Sequence, residues 1–535
     1  MSGLLRQRGC PPALALRRAR STSAAAPAAP QQSAEWLRAA PFSQMPGPRP
    51  LPLVGNLWRF LPPLGEFSRL DLAETLLAMR GRYGDIVRVE HVPLKRPVVY
   101  AYNPEDIQKV FRQEGPWPVR GGVPSLCYYR SVTRRDWFQG NVGVIVSEGE
   151  EWLEARRKVN RPMMQPRSAK HYVAPIDRVA QEFVDRMLEL RDEDGKMPPD
   201  FKNELNKWSL ESISVVALDA RLGCLEKALP ADSEPQRMID AAMVVFDSMM
   251  RLDMRLSPWR YVTTPAWRRL VTALDCIYEI SMRHISRAVE RIKARGDQRE
   301  SSGEMSVLER LLVSNDDPRV AIVMALDMMF AGIDTTATAL STTLYFLAKN
   351  PEAQQKLYRE LRAKLPDSGQ PLTAETLEDC GFLRACVKEA LRLRPVTVFN
   401  MRRVMVDDLV LSGFRVPRGV DVILSHFAIT NSEQHFAEAS RFVPERWVKD
   451  ALGGFPARQA HPFAYLPFGF GPRMCVGKRF AEFEIHVLLA RMIRRFHVEF
   501  EGEASWKTTM MHMIASPLTF KITERCPADS HGARA

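Results

Sequence analysis

The sequence predicts a mainly α-helical fold with a small β portion, gathered into one large domain. Three observations lead there. Apolar residues recur at helical spacing through 176–190, 204–219, 280–294 and 351–365. Short runs rich in Val and Tyr occur only at 85–92 and 97–102, with weaker β signals at 408–416 and 420–425. No internal repeat and no second low-complexity linker divides the chain. At 535 residues with 45% hydrophobic and 26% charged side chains, the chain can bury a sizeable core, and disorder over most of its length is excluded.

The first element is an address. No Asp or Glu precedes Glu35, while Arg6, Arg8, Arg17, Arg18 and Arg20 sit among Ala and Ser. That composition predicts a mitochondrial transit peptide over 1–34, because a cationic, acid-free segment is drawn inward by a negative-inside potential. No apolar run near this end approaches the ~20 residues that span a bilayer. The segment 35–62 contains Pro46-Gly47-Pro48-Arg49-Pro50-Leu51-Pro52, a stiff extended lead-in because proline fixes φ and removes donors. The domain proper is then 63–535. At its start, Asn103-Pro104-Glu105-Asp106 reads as a cap, a first-turn proline and first-turn acids opening a helix.

The net charge of +12 favours an acidic partner or an anionic membrane surface. Nucleic acid is set aside, since no recognised binding motif accompanies the charge. Eight cysteines without a CxxC pair predict neither a zinc site nor a disulfide framework. The stretch 320–348 is nearly all apolar, yet Asp327 and Asp334 interrupt it. Each would be costly at a bilayer centre, so the stretch reads as a helix through the protein core.

One motif carries chemistry directly. In Phe468-Gly469-Phe470-Gly471-Pro472-Arg473-Met474-Cys475-Val476-Gly477, two glycines and a proline make a tight loop. Cys475 follows, at the start of an amphipathic helix over 476–496. The positive end of a helix favours thiolate over thiol. A thiolate is the ligand a haem iron needs if electron density is to be pushed toward O–O cleavage. Gly477 lets a flat macrocycle lie against the helix start, and Arg473 can meet a haem propionate through charge-assisted bonds.

On this loop the chain resembles the cytochrome P450 family, and the resemblance runs from about residue 46 to the C-terminus because further family motifs follow in order. It implies the cytochrome P450 fold, haem (iron protoporphyrin IX) bound through Cys475, and insertion of one oxygen of O2 into a lipophilic substrate. Glu389 and Arg392 in Lys388-Glu389-Ala390-Leu391-Arg392 share a helix face, and the family locks such a pair onto an arginine that corresponds here to Arg446. Trp152 and Arg156, at i and i+4, resemble the family's propionate-binding pair, and Arg403, beside Arg402, its second propionate arginine. In Ala331-Gly332-Ile333-Asp334-Thr335-Thr336, glycine and consecutive threonines are poor mid-helix choices, and a Thr hydroxyl can bond back to an earlier carbonyl and open the helix. Asp334 and Thr335 resemble the family's acid–alcohol pair, which delivers protons to the distal oxygen.

The chain has no flavin or nicotinamide fingerprint, so electrons come from a partner. Arg384 and Lys388, at i and i+4, are similar to the two basic residues with which mitochondrial members dock an acidic [2Fe–2S] ferredoxin, itself served by an NADPH reductase. Lys478 and Arg479 extend that basic surface. Trp137-Phe138-Gln139-Gly140 and the stretch 204–223 are most similar to arthropod mitochondrial members, which implies a xenobiotic or a sterol- or ecdysteroid-like substrate. It also implies peripheral contact with the matrix side of the inner membrane. Apolar stretches expected to form the pocket are 117–138, 243–254, 330–335, 396–399 and 514–518. Two alternatives stay open: a haem-thiolate isomerase or dehydratase that needs no electrons, and a non-catalytic haem-binding sensor.

Overall fold

Helix boundaries follow the local capping chemistry. The computed structural model describes residues 34–93, 95–227, 229–294, 305–449 and 457–525. The predicted transit peptide lies outside them except for its last residue. The longer helices are α1 (Leu72–Tyr83), α2 (Pro104–Arg112), α3 (Gly149–Met164), α4 (Val173–Leu190), α5 (Phe201–Leu218), α6 (Glu234–Met249), α7 (Pro265–Ala294), α8 (Pro318–Lys349), α9 (Pro351–Lys364), α10 (Gly381–Leu393) and α11 (Lys478–Arg495). As expected, α2 opens with Asn103, whose side chain accepts from the backbone N–H of Glu105 at 3.0 Å, followed by Pro104. Asp317 caps α8 in the same way, accepting from the Arg319 N–H at 3.0 Å.

The strands are short. They are β1 (Ile86–Val89), β2 (Val98–Ala101), β3 (Asn400–Arg403), β4 (Leu409–Leu411), β5 (Phe414–Val416), β6 (Asp421–Leu424), β7 (Phe496–Phe500), β8 (Trp506–Thr508), β9 (His512–Ile514) and β10 (Phe520–Glu524). The main sheet runs β1-β2-β6-β3, with β2 and β6 parallel and the other pairs antiparallel. The remaining strands form two-stranded pairs. The lead-in packs along the sheet edge: the Arg88 N–H donates to Pro46 O at 2.8 Å and the Asn56 N–H to His91 O at 3.0 Å. A Cβ at Gly47 would stand 2.0 Å from the Arg88 carbonyl oxygen, so only glycine permits this approach.

The apolar stretch read as a core helix is α8. It has the length and composition to cross a membrane, yet most of its residues are buried against the rest of the protein. It packs on α5, where Gly332 allows the close crossing: a Cβ there would lie 2.7 Å from Ile213 Cγ1. Behind it, the Arg491 guanidinium on α11 donates twice to Asp177 on α4, both at 2.6 Å, and the Leu372 N–H donates to the same carboxylate. Cys224, Cys276, Cys380, Cys386 and Cys475 are free thiols.

Glu389 is buried completely, and every acceptor site it offers is engaged. Arg392 donates to both its oxygens at 2.9 and 3.0 Å, Arg446 and the Val443 N–H to Oε1, and the Trp447 indole to Oε2 at 2.8 Å. Arg392 also donates to the carbonyls of Thr430, Ala439 and Arg441. One carboxylate thereby fastens α10 to the loops preceding the thiolate segment. Removing one partner leaves buried charge uncompensated, so Glu389→Ala is expected to cost about 3–5 kcal/mol. Denaturant unfolding of the full chain measures this.

Candidate haem-thiolate site

The loop before α11 turns where left-handed backbone is available. Gly469 and Gly471 have φ of +73° and +74°, and a Cβ at Gly471 would meet Glu114 Oε1 at 2.6 Å. The Cys475 N–H donates to Phe468 O and the Met474 N–H to Gly471 O, each at 3.0 Å. These bonds close the loop and hold Cys475 three residues before the first residue of α11, whose cap is Gly477. The Cys475 side chain lies deep in the protein and yet is accessible, because it opens onto an internal cavity of about 500 Å³. Burial pushes its thiol pKa up. The backbone N–H groups of Gly477 and Lys478 and the charges of Arg156 and Arg120 act in the opposite direction.

The cavity wall unites most of the residues singled out from sequence: Trp152, Arg156, Thr335, Phe468, Arg473, Cys475 and Gly477. Arg473 donates to Pro118 O and Ser147 O at 2.8 Å and to Glu148 at 2.9 Å, and its guanidinium lies 4.3 Å from the centre of the Trp152 ring. Burial lowers its pKa to about 9, with Arg120 the next cause. Arg156 donates to Met474 O at 3.0 Å.

Two residues from the sequence reading do not reach the wall. Arg403 donates to both oxygens of Asp421, at 2.7 and 3.2 Å, and stands off the cavity. Successive strand side chains point to opposite faces, and on β3 it is Arg402 that lines the cavity, paired with Glu114. Asp334 is buried but faces α5, with its Oδ1 4.0 Å from Lys202 Nζ. Burial raises its pKa; Lys202 and Asn206 oppose the rise. Thr335 does bond back, donating to Ala331 O at 2.7 Å, and Ser209 on α5 donates to Gly332 O at 2.9 Å. The backbone stays helical through both, where a local opening was expected.

Sequence reasoning also missed members of the site. Arg120, two residues after Pro118, lines the cavity and donates to Ile145 O at 3.0 Å. Its only sequence signal was its place in the expected pocket stretch 117–138. Glu484, nine residues after Cys475, lines the cavity as well. Of the expected pocket stretches, 396–399 lines the wall fully, 117–138, 243–254 and 330–335 in part, and 514–518 gives way to Thr509 and Met510.

These residues fit a haem. Four guanidinium groups, of Arg120, Arg156, Arg402 and Arg473, border the cavity together with the carboxyl groups of Glu148, Asp327 and Glu484, while Glu114 pairs with Arg402 from behind the wall. Arg156 Nε and Arg473 Nη1 are buried without a partner among the described residues. Buried guanidiniums with donors to spare, beside the apolar surface of the same cavity, suit a flat apolar ligand with two anionic groups. Gly477 supplies the clearance, since a Cβ there would project into open space.

Comparison with known proteins agrees with the geometry. The family model described as "Cytochrome P450" matches residues 45–523. A relative named "Probable cytochrome P450 301a1, mitochondrial", from Drosophila melanogaster, is 39% identical over 492 residues, covering 92% of this chain and 88% of that one. "Cytochrome P450 CYP12A2" of Musca domestica is 38% identical over 92% of this chain and 93% of its own length. "Cytochrome P450 12b1, mitochondrial" of Drosophila acanthoptera is 40% identical, covering 89% of this chain and 88% of its own. With a free cysteine opening onto a cation-bordered cavity and this likeness over most of its length, the chain belongs to the cytochrome P450 family, whose members bind haem through a cysteine thiolate and act as monooxygenases.

Proposed function

We propose that this chain is a mitochondrial monooxygenase that hydroxylates a lipophilic molecule with electrons from a [2Fe–2S] ferredoxin: RH + O2 + 2e⁻ + 2H⁺ → ROH + H2O. The observation that carries the reading is Cys475, a free thiol opening onto a cavity bordered by four arginines, of which Arg156 and Arg473 each keep a buried guanidinium nitrogen with no partner among the described residues. When bound, haem supplies the site of O2 reduction and oxygen insertion. Cys475 would be its iron ligand. Trp152, Arg156 and Arg473, joined by Arg120 and Arg402, would hold its carboxylates, with Arg403 fixing β3 through Asp421. Phe468 and Gly477 would flank the macrocycle.

Substrate class follows from the rest of the wall. Val123, Ile213, Met254, Met328, Val398 and Phe399 present apolar surface, which suits a xenobiotic or a sterol- or ecdysteroid-like molecule. Thr335 on the same wall would hold a proton-carrying hydroxyl or water beside the reacting oxygen. Asp334, one residue away, would supply charge balance from the α5 side. The Thr335 hydroxyl on the cavity wall favours this reading over a rearrangement needing no protons.

Electron entry would use the surface of α10. Lys388 is exposed and Arg384 half-buried. The two lie close enough, together with Lys478, that each repels the others' charge and lowers the Lys388 pKa, burial being the larger cause. Four basic side chains, with Arg479, present a face for an acidic ferredoxin. The relatives named mitochondrial and the acid-free N-terminus support that location. Exposed Leu53 on the lead-in and Leu64 just after it support peripheral contact with the matrix face of the inner membrane.

Three outcomes are expected. Reduced wild-type protein under CO should show the red-shifted Soret band of thiolate ligation, and Cys475→Ala should lose it; an unshifted band in the wild type overturns the reading. Thr335→Ala should retain O2 consumption but divert on the order of tenfold more of it to peroxide; unchanged coupling removes Thr335. The double charge reversal Arg384→Glu, Lys388→Glu should reduce ferredoxin-driven turnover by about tenfold or more at low salt, leaving peroxide-driven turnover intact. Equal loss in both assays would remove the docking role.

A further inference from the structure

A second recess, of about 260 Å³, opens beside the larger cavity. It is walled by the loop 140–147, by one face of α3 and by the first half of α8. Val144, Met324 and Asp327 border both spaces, so one layer of side chains separates them. Asp327 is 2% exposed. Its Oδ1 accepts from Arg130 Nη2 at 2.6 Å, and Arg130 also donates to Val142 O at 2.8 Å. Its Oδ2 is buried with no partner among the described residues. That oxygen is turned toward the recess. A Cβ on Gly143, which lines the recess and not the larger cavity, would stand 2.8 Å from it.

The lining carries more negative than positive charge. Glu151, Glu154, Asp317 and Asp327 stand against one base, Lys158. Lys158 pairs with Glu154 at 2.8 Å, Asp317 pairs with Arg319 at 3.0 Å, and Glu151 is exposed. Burial raises the Asp327 pKa; the Arg130 guanidinium and the Ile145 N–H oppose the rise. A positive group at Oδ2 would act in the same sense as Arg130. Among the described residues no group of three or more His, Cys, Asp or Glu is placed to hold a metal ion. The cation that fits is therefore organic, and Val142, Val159, Val320 and Val323 offer its carbon frame an apolar surface.

We propose that this recess binds a small organic cation, an ammonium or amidinium on a short apolar frame whose N–H donates to Asp327 Oδ2, and that it acts as an effector site for the larger cavity. A buried carboxylate oxygen left without a donor is costly, and a charge-assisted N–H···O bond removes that cost. A single water could supply a donor but would leave the valine surface and the excess negative charge unanswered. The recess is smaller than the roughly 300–1,000 Å³ of drug-sized sites, which sets its occupant apart from the lipophilic substrate next door. Because Val144, Met324 and Asp327 serve both walls, an occupant on one side biases the wall met by an occupant on the other.

Benzamidinium chloride is the test cation, with benzamide as its neutral counterpart of the same shape. The amidinium has no lone pair to give to iron, so it does not report on the haem itself. Calorimetric titration of the purified holoprotein should show one saturable site for benzamidinium, weakened by salt, with benzamide bound on the order of tenfold more weakly. Asp327→Asn removes the charge, and Ala155→Phe fills the recess from α3 at a position that does not line the larger cavity. Each should weaken benzamidinium on the order of tenfold. Saturating benzamidinium should also change the affinity for clotrimazole, an azole that ligates haem iron and is read by its Soret shift, by a factor of about five that then stays constant. No saturable binding, or equal affinity for the charged and neutral molecules, overturns the proposal, and this comparison needs no variant. Unchanged benzamidinium affinity in a folded Ala155→Phe overturns it too. So does a clotrimazole effect that is absent, or one that grows without limit and so places the cation in the larger cavity. If the protein takes up no haem, it is the monooxygenase reading that fails, and the calorimetric comparison still decides the recess.

Discussion

A sulfur anion buried in protein must be held by dipoles and charges in place of water, and the site is arranged around that need. At Cys475 desolvation favours the thiol. The N–H groups at the start of α11 and the guanidiniums of Arg156 and Arg120 work against it. Bound haem iron would add a further positive charge favouring the thiolate at Cys475. The glycine loop matters because left-handed backbone at Gly469 and Gly471 lets the chain turn back so that the Cys475 N–H closes on Phe468 O just before α11.

The positive rim extends the same logic. Four guanidiniums border the cavity, and the protein answers them only partly, with Glu114 and Glu148. Such clustering is expensive unless an anion completes it, which is why the rim reads as half of a binding site. Elsewhere the protein completes its own networks. Glu389 between Arg392 and Arg446, and Asp177 beneath Arg491, are satisfied buried ion pairs that tie helices together. The contrast between completed and uncompleted charge separates scaffold from site without reference to any motif.

How much of this was legible beforehand varied with how local the cause is. The thiolate loop was readable because glycine turns and a following helix are properties of ten consecutive residues. The core helix α8 was readable from its apolar run broken by two aspartates, and the Asn103-Pro104 start of α2 from capping chemistry. The choice between Arg402 and Arg403 was not, since it depends on which face of β3 the fold turns toward the cavity. Nor was the direction of Asp334, which follows from how α8 is rotated against α5 at Gly332. Glu484 looks like any acidic residue of an amphipathic helix until α8 is seen packed against it. The three-residue strands β8 and β9 are too short to show alternation.

The sulfur bond to iron is the claim on which the rest stands. X-ray absorption fine structure of the ferric holoprotein reads it without turnover, substrate or redox partner. One sulfur scatterer in the iron shell is expected in the wild type, and none in Cys475→Ala. An iron shell of nitrogen and oxygen alone in the wild type would contradict the assignment of Cys475, and with it the roles given to the cavity around it.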